Sequence, residues 1–426
     1  MKNRTPLTLI FLTVFIDLLG FGILIPILPT FATVELHLDE TSIGFIVAVY
    51  SLLQFIFNPI FGRLSDKYGR RPLIIVSLFL NAVGYIVFAF THSFIMLTAS
   101  RVIAGIGGSS IGVAQAYIAD VTTKENRSKG MGIIGAAFGL GFVFGPLIGG
   151  FLSGFGYAVT GYGSAFFSFS ACLLTLFFLP ESHLRKEEFN KPVRARFAAR
   201  RVDSFPNGSP WDGKRKILDI KSLRAVFDNP ASALMIALFF VLTFSMANIY
   251  GTFSLLGYKI YHFSNLQNGY MYGILGLFSA IVQGGLINRL EKFIGQKKLI
   301  TLGSILMMAG LALLPYGVNF FGLVLVVIIL AFGTGILQPT ILSLLSVVTP
   351  DSEQGITLGV NQSLSSLARV FGPFWGGFSF EFLGYQWPFL TGAAFTAIVV
   401  LASIFYLPGK LKLQSESSKI ISDKIL

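Results

Sequence analysis

The sequence predicts an all-α membrane protein with twelve transmembrane helices arranged as two six-helix halves. Three observations support this prediction. The chain of 426 residues is 54% hydrophobic and only 12% charged, whereas a soluble domain usually carries about 25% charged residues. Apolar runs long enough to cross a bilayer recur along the chain. The basic residues fall in alternate loops, and similar segments appear in both parts of the sequence.

Each apolar run of about 18 residues or more can cross the ~30 Å hydrocarbon core of a bilayer as a helix. The first run follows a short basic start and is too long for the core of a cleaved signal peptide, so we interpret it as a span. Twelve spans leave both termini on one side. The predicted spans are 7–31, 41–61, 72–90, 94–119, 130–152, 161–179, 231–256, 269–287, 299–314, 321–347, 356–378 and 388–407.

The domain boundaries follow from these spans and from one long polar stretch. Residues 1–180 form the predicted first half and residues 230–407 the second. Between them, residues 181–229 are polar and rich in charge, which is typical of a solvated loop that links two membrane domains. Residues 408–426 are predicted to be a polar tail on the same side as this linker.

The distribution of basic residues predicts an orientation. All but three of the 32 lysines and arginines lie in the termini or in alternate loops, the exceptions being Lys259, Arg101 and Arg369. Because basic loops stay on the cytoplasmic side, both termini and the linker are predicted to be cytoplasmic. This asymmetry also accounts for the net charge of +12 without a nucleic-acid partner.

Several classes of function are not supported by the sequence. Cys172 is the only cysteine, and the four histidines lie in predicted loops, so neither a disulfide framework nor a metal cluster is predicted. We find no glycine loop with the lysine that ATP binding requires. No catalytic constellation is visible either, so we expect neither an enzyme nor a cofactor-dependent protein.

An internal repeat supports the two-half architecture. The string Gly-Pro-Leu-Ile-Gly-Gly at 145–150 returns as Gly-Pro-Phe-Trp-Gly-Gly at 372–377. Six spans followed by six spans in the same orientation predict a parallel repeat about an axis along the membrane normal. Such an architecture places a site between the halves, near the midplane, that opens alternately to each side.

The turn between the second and third predicted spans carries a charged motif, with Gly62, Asp66, Gly69, Arg70 and Arg71 at its defining positions. The two glycines permit a tight reversal, and the aspartate can engage helix ends and guanidinium groups. This loop resembles the signature loop of the major facilitator superfamily at every defining position. The resemblance implies a charge latch that helps to hold one conformation of the two halves.

The fifth predicted span carries a second motif. Its members are Gly132, Gly141, Gly145, Pro146, Gly149 and Gly150. Glycines four residues apart clear one helix face, so that another helix can approach closely, and packing alone would account for them. The full string resembles the superfamily motif that is associated with antiporters rather than symporters, which implies export.

The first span resembles the twelve-helix drug–proton antiporters of the same superfamily through Gly20, Pro26 and Pro29. With Asp17 at its head, it resembles the tetracycline–proton antiporter branch. Polar positions that this branch carries in spans three, eight and nine are Gly84, Ser279 and Met307 here. We therefore do not expect tetracycline itself to be the substrate.

Asp17 and Arg101 are the candidate proton-coupling residues. Asp17 lies about 15 Å into its span at 1.5 Å per residue, and an acid at such depth is costly and by default functional. Arg101 begins a segment that resembles the superfamily's fourth-helix motif and can tune the acid or contact substrate. A structural anchor is the alternative for both. Arg101 is predicted to share a helix face with four other residues, namely Gly105, Gly108, Gly112 and Gln115.

Four residues are candidates for a substrate cavity. Gln115, Asn248 and Gln338 lie on spans four, seven and ten, which line the cavity in the superfamily. Arg369 lies deep in span eleven without an acid nearby in that helix. We expect Arg369 either to favour an anionic or zwitterionic substrate or to pair with Asp17. Hydrogen bonding to carbonyl groups at a helix contact is the structural alternative.

The sequence and the resemblance together predict a secondary active transporter that exports a small amphipathic compound or drug, with the proton gradient as its energy source. It is expected to act as a monomer among membrane lipids, in a cytoplasmic membrane of the bacterial type. One alternative is an uptake symporter or facilitator for a metabolite such as a sugar or organic anion. A further alternative is a membrane receptor or enzyme that does not transport.

Overall fold

The computed structural model describes residues 4–122, 127–182, 226–317, 319–349 and 354–407. The predicted linker lies largely outside these residues, and the predicted tail lies entirely outside them. We number the helices by span, and two spans consist of two helices each. The helices are α1 (Arg4–Val34), α2 (Glu40–Tyr68), α3 (Arg70–Ala89), α4a (Phe94–Gly107), α4b (Ser110–Val121), α5 (Arg127–Ser153), α6 (Tyr157–Phe178), α7 (Pro230–Lys259), α8a (Asn265–Ile281), α8b (Ile287–Ile294), α9 (Gln296–Leu313), α10 (Phe320–Val348), α11 (Gln354–Phe382) and α12 (Trp387–Phe405).

The described ranges contain twelve spans, which confirms the predicted fold class. Eleven of them are long and apolar enough to cross a membrane by length and hydropathy alone. The remaining span, α11, has 29 residues, ample for a ~30 Å core, but its sequence is more polar. It includes Asn361, Gln362 and Arg369.

Two spans are interrupted, which the sequence did not predict. The fourth breaks at Gly108, whose N–H donates to the carbonyl of Ala104 over 2.7 Å. A β-carbon built at Gly107 would lie 2.5 Å from Oδ1 of Asn81, and one at Gly108 would lie 2.5 Å from the hydroxyl of Tyr50. The break therefore lies where α3 and α2 both approach the backbone. The eighth span is interrupted by a π-helical segment, Val282–Leu286.

Helix packing follows the predicted repeat. In the first half α1 packs against α5 and α6, and in the second half α7 packs correspondingly against α11 and α12. The pair α3 and α6 corresponds in the same way to the pair α9 and α12. Between the halves, α5 packs on α8a and α2 packs on α11. Spans whose numbers differ by six therefore make equivalent contacts.

The glycine strings explain why the two halves pack alike. A β-carbon built at Gly145 would lie 2.7 Å from the Cα of Gly22 on α1. At Gly372, which is 227 positions further along the chain, it would lie 2.9 Å from the backbone nitrogen of Asn248 on α7. Each string therefore lets the fifth helix of its half touch the first helix almost backbone to backbone.

The two halves touch at one end of the bundle and separate toward the other. We call these the Glu40 end, where α2 begins, and the Asp66 end, where α2 finishes. Along α8a, a β-carbon at Gly269 would lie 2.5 Å from the carbonyl oxygen of Pro146 on α5, whereas Gly284 meets nothing within 4 Å. The two helices therefore diverge toward the Asp66 end.

Helices α2 and α11 diverge in the same direction. Gly44 and Gly377 approach each other near the Glu40 end, where a β-carbon at either glycine would lie 3.1 Å from the Cα of the other. Gly62 and Gly359, near the Asp66 end, meet nothing within 4 Å. Among the described residues, these glycines therefore bring the two halves together at the Glu40 end and not at the Asp66 end, and we call the space between the halves the central cavity.

Polar contacts close the Glu40 end. Lys259, the last residue of α7, forms an ion pair with Glu40, the first residue of α2. The backbone N–H of Thr41 donates to Oε2 of Glu381 on α11 over 3.0 Å. Both contacts join the two halves. The ion pair gives a structural role to Lys259, which is the one basic residue that the sequence places in a loop on the predicted outer side.

Candidate functional site

The carboxylate of Asp17 lies in the interior of the first half, with 6% of the residue exposed. It accepts hydrogen bonds from Nδ2 of Asn81 (3.0 Å), from the hydroxyl of Ser168 (2.7 Å) and from the hydroxyl of Ser110 (3.2 Å). These donors belong to α3, α6 and α4b. Among the described residues, no lysine or arginine forms an ion pair with Asp17, and no group of acids, histidines and cysteines is placed to hold a metal ion.

Glycines bring these donors within reach of the carboxylate. A β-carbon at Gly20, less than one turn after Asp17, would lie 2.8 Å from the carbonyl oxygen of Ser164 and 3.2 Å from the hydroxyl of Ser168. Helix α6 therefore approaches α1 closely at this level. Gly107 lets α4a approach Asn81 in the same manner. The first-helix motif residues Pro26 and Pro29 are buried, and α1 stays helical around both.

Arg101 does not pair with Asp17. It is 3% exposed on α4a, and its Nε donates to the hydroxyl of Ser100 over 3.2 Å. The guanidinium carbon lies 5.8 Å from the ring centre of Tyr85 and 5.5 Å from that of Phe88, so the aromatic faces stabilise its charge. Arg101 and Asp17 are therefore placed in the same half but are held by different partners.

The predicted polar face of span four is divided by the helix break. Gly105, Gly108 and Gly112 do share one side and meet α2, where Tyr50, Gln54 and Asn58 are their nearest neighbours. Arg101, by contrast, packs against α3, and Gln115 is exposed on α4b. Arg101 and Gln115 therefore do not form the two ends of one cavity wall.

The fifth-helix motif serves two interfaces. Gly141 and Gly145 meet α1, where Leu18 and Gly22 are their nearest neighbours. Gly150 meets the other half, since a β-carbon there would lie 2.9 Å from the carbonyl oxygen of Asn265. Gly149 faces α1. The ring of Pro146 also lies beside α1, near Gly22, whereas its carbonyl oxygen lies beside Gly269 of α8a. Gly132, the first residue of the motif, meets nothing within 4 Å.

The signature loop forms a charged network around Arg70. Gly69 has a φ of 104°, a conformation that favours glycine, and it ends α2 directly before α3. Arg70 forms ion pairs with Asp66 over 2.6 Å and with Asp120 at the end of α4b over 3.0 Å. The loop is thereby fastened to the fourth span.

The same loop is also fastened to the end of α6. The carboxylate of Glu181 accepts from the backbone N–H groups of Arg70 (2.9 Å) and Arg71 (3.1 Å). The guanidinium of Arg71 donates to the carbonyl of Thr175 over 3.3 Å. Gly62 faces open space. Thr175 lies in the first half, and Glu181 is the residue that directly follows this half in the predicted linker. In this conformation the loop therefore contacts its own half, and the implied latch between halves stays a prediction.

Arg369 lies half-buried on α11, in the second half. Its Nη2 donates to the hydroxyl of Ser366 over 3.0 Å, and within the described ranges it forms no ion pair. The proposed pairing with Asp17 is therefore not made. Tyr250 on α7 and Tyr50 on α2 lie within electrostatic range of the guanidinium. Arg369 thus carries a positive charge near one tyrosine of each half.

Asn248 faces another helix of its own half in this conformation, so its predicted role in the cavity stays a prediction. The residue is fully buried, and its Nδ2 donates to the carbonyl of Pro388 (2.5 Å) and to the hydroxyl of Thr391 (3.3 Å) on α12. Asn248 therefore ties α7 to α12 within the second half instead of facing the central cavity. Gln115 and Gln338 are exposed, and their role in the cavity stays a prediction.

An aromatic cluster of the first half was missed in the sequence. The ring of Phe21 stacks on Tyr50 with centres 5.2 Å apart and meets the edge of Phe142 at 6.2 Å. Phe142 in turn stacks on Phe138 at 6.3 Å. These half-buried rings belong to α1, α2 and α5. With 44 phenylalanines in the chain, no sequence signal separated them from residues that face lipid.

Comparison with known proteins gives a consistent result. The family model described as Major Facilitator Superfamily matches residues 10–373 and 286–422. Multidrug resistance protein 2 of Bacillus subtilis is 30% identical over 404 residues, which cover 94% of each chain. Tetracycline resistance protein, class C, of Escherichia coli is 30% identical over 88% of this chain and 89% of its own length.

A solved structure agrees with these matches. The crystal structure of the human organic anion transporter MFSD10 (TETRAN) superposes with a TM-score of 0.65 at 26% identity. The match covers 95% of this chain and 100% of that chain. Sequence and structure therefore agree over nearly the whole length.

Proposed function

The chain belongs to the major facilitator superfamily, whose members are membrane transporters rather than enzymes, and we propose that it is a proton-coupled antiporter that exports a small amphipathic compound. The observation that carries this proposal is the environment of Asp17. It is the one acid deep within the spans, and three donors from three different helices hold it without a cation among the described residues. An acid held in this way is expected to bind and release a proton.

Protonation of Asp17 provides a physical link to the movement of the halves. A carboxylate accepts every one of the three hydrogen bonds, whereas a protonated carboxyl group must also donate one. The packing of α1 against α3, α4b and α6 therefore depends on the proton. Helix α1 also packs against α5 and α7. Through α7 it touches the other half, so a change at Asp17 can bias the contact between the halves.

We propose that the Asp66 end faces the cytoplasm and the Glu40 end faces outward. The basic residues of the described turns support this orientation, since they lie at the Asp66 end and basic loops stay cytoplasmic. The central cavity then opens inward in this conformation, where it would receive substrate. A proton that binds Asp17 from outside would drive the return step. At 100 mV one proton supplies about 2.3 kcal/mol, which supports a roughly fifty-fold gradient of a neutral solute.

The relatives support export over uptake. Two of them are named for multidrug resistance and for tetracycline resistance, and resistance is the result of removing a compound from the cell. Tetracycline itself is not proposed, because the positions that differ from that branch serve packing here. Ser279 donates to the carbonyl of Ala331, Met307 is buried, and Gly84 lies against Ala104.

A resistance screen followed by reconstitution tests this proposal. The gene would be expressed in a strain that lacks its own exporters, and fluorescent ethidium (a cation) and carboxyfluorescein (an anion) would serve as first probes. The purified protein would then be reconstituted with a pH dye inside the vesicles. We expect an imposed pH gradient to drive accumulation of the exported compound. Accumulation that is unchanged when the gradient is collapsed would contradict the proposal.

The ion pair between Lys259 and Glu40 yields a prediction about the conformational equilibrium. Lys259→Ala is expected to weaken closure at the Glu40 end, because it removes an ion pair that joins the halves. Exposed pairs contribute roughly 1 kcal/mol or less, so we expect a shift of up to about five-fold in the population closed at this end. Distances between spin labels on α2 and α11 would measure it. The exchanged pair Glu40→Lys with Lys259→Glu should restore the population, and failure to restore it would show that the ion pair does not set this equilibrium.

Arg369 supports a proposal on substrate charge. Its guanidinium donates to the hydroxyl of Ser366. A half-buried cation that forms no ion pair within the described ranges favours an anionic group on the ligand. The stacked rings of Phe21 and Tyr50 offer an apolar surface for the remainder of an amphipathic molecule. MFSD10, which shares the fold at 26% identity, is titled an organic anion transporter, and this supports the same substrate class.

Arg369→Gln is therefore expected to raise the KM for an anionic substrate about 10- to 100-fold, since a hydrogen bond to a charged group contributes about 1.5–3 kcal/mol. Initial rates in everted vesicles over a range of carboxyfluorescein concentrations would measure it. Arg369→Lys keeps the charge and should lose less. Unchanged transport of every identified substrate by Arg369→Gln would remove Arg369 from the binding site.

A further inference from the structure

Buried polar atoms that lack a hydrogen-bond partner within the protein are concentrated around Asp17. Buried polar groups are nearly always satisfied, and where the protein does not supply a partner a buried water does. Seven such atoms belong to spans three, four and six, which surround Asp17, and this makes the region unlike an ordinary helix interface. They are Oγ of Ser77, Oδ1 of Asn81, the hydroxyl of Tyr85, Oγ1 of Thr98, Nη2 of Arg101, Oγ of Ser109 and Oγ of Ser164.

These atoms form a continuous series. Ser77, Asn81 and Tyr85 lie four residues apart on one face of α3, so the series extends about 12 Å along the helix. Asn81 touches the Asp17 carboxylate at its middle. The ring of Tyr85 lies beneath the guanidinium of Arg101 toward the Glu40 end. The polar series therefore connects the acid to the buried arginine.

The corresponding helix of the second half, α9, has no comparable series at the equivalent positions. Residue Ser304 on α9 lies 227 positions after Ser77, which is the offset of the repeated glycine strings. Its hydroxyl donates to the carbonyl of Ile300 and is thereby satisfied. At the same offset, Met308 and Ala312 take the places of Asn81 and Tyr85. The polar series on α3 is therefore not repeated on α9, its counterpart in the second half.

The helices that supply Asn81 and Ser168 differ from the helix that carries Arg369. Helices α3 and α6, which supply Asn81 and Ser168, make their principal contacts within the first half in the described part of the chain. The carboxylate is directed toward these helices, whereas Arg369 lies on α11 of the second half. The proton site at Asp17 and the proposed substrate site at Arg369 are therefore formed by different helices.

We propose that α1, α3, α4 and α6 enclose a chamber that holds water, and that Asp17 exchanges its proton through this chamber while substrate binds in the central cavity. Tyr85 is a positioning residue that orders the water between Asp17 and Arg101. The fixed positive charge of Arg101 disfavours an excess proton beside it, so the proton is directed to Asp17. This inference rests on the proposed antiport, but the presence of water can be tested separately.

The first test asks whether water reaches the chamber. Cys172 is the only cysteine, so Cys172→Ala gives a background without thiols. Ser77→Cys and Ser304→Cys then place nearly isosteric thiols at two fully buried sites in corresponding helices. The probe is Ag⁺, which is small enough for narrow aqueous paths. We expect Ser77→Cys to react at least ten-fold faster than Ser304→Cys, as measured by mass spectrometry. Equal rates, or an unreactive Ser77→Cys, would overturn the chamber.

The second test concerns proton transfer. Tyr85→Phe keeps the ring beneath Arg101 and removes the hydroxyl. In this variant we expect half-maximal transport of the exported fluorescent probe to require an external proton concentration about ten-fold higher. The control variant Ser304→Ala should leave the pH profile unchanged. A profile that is unshifted in Tyr85→Phe, whether the rate is intact or lowered equally at every pH, would overturn the role of Tyr85. Retained pH-driven transport in Asp17→Asn would instead overturn the antiport, and the Ag⁺ result does not depend on it.

Discussion

Replacement of Asp17 by asparagine is expected to abolish proton-driven accumulation of substrate while the protein still folds and inserts. Asparagine has nearly the same shape and can still accept from Asn81 and Ser168, but it cannot bind a proton. One proton supports a substrate concentration ratio of roughly fifty-fold at 100 mV. In the variant this ratio should fall to one, so that the concentrations on the two sides become equal. Uptake of the exported probe into everted vesicles with an imposed pH gradient measures this ratio.

Glu35→Gln is the matched control for this variant. Glu35 is an exposed acid at the Glu40 end, and its neutralisation should leave accumulation intact. The conservative variant Asp17→Glu keeps a titratable group and is expected to retain part of the accumulation. Accumulation by Asp17→Asn at the level of the unmodified protein would exclude Asp17 from the coupling mechanism.

Gly145→Leu is expected to prevent stable folding. A β-carbon at this position would lie 2.7 Å from the Cα of Gly22, so the backbone of α1 or α5 must move before any larger side chain fits. Overpacking usually lowers the free energy of unfolding by about 1–3 kcal/mol. We expect a loss of about 3 kcal/mol or more here, because the backbones of the two helices are in direct contact. The yield of inserted protein and its melting temperature in detergent would measure the loss.

Gly132→Leu is the control within the same helix and the same motif. No atom lies within 4 Å of a β-carbon at Gly132, so this variant should keep the yield and melting temperature of the unmodified protein. Equal losses in the two variants would mean that close packing on α1 does not explain the effect of Gly145→Leu, because leucine is the better helix former at both positions.

The fold could be predicted because its signals are long and redundant. Twelve apolar runs, the alternating charge of the loops and the repeated glycine strings each point to the same bundle, and the packing of α5 on α1 and of α11 on α7 agrees with the repeat. The break in the fourth span was not predictable in this way. It depends on Asn81 and Tyr50 reaching the backbone at Gly107 and Gly108 from two other helices.

The site was only partly predictable for a similar reason. Asp17 could be identified because a deep acid is rare, whereas its hydrogen-bond donors are ordinary polar residues between 64 and 151 positions away in the chain. Asn248 shows the limit from the other side. It is a polar residue in a span expected to line the cavity, but the rotation of α7 directs its side chain to α12. Sequence alone does not fix such rotations.

The most direct test of the central claim is to record substrate and proton movements together in one population of proteoliposomes. A pH dye inside the vesicles reports protons, and the exported fluorescent probe reports substrate. The account predicts that movement of the probe in one direction drives protons in the other, and that Asp17→Asn moves the probe down its gradient without protons. Probe movement without proton movement in the unmodified protein, or proton movement that persists in Asp17→Asn, would contradict it.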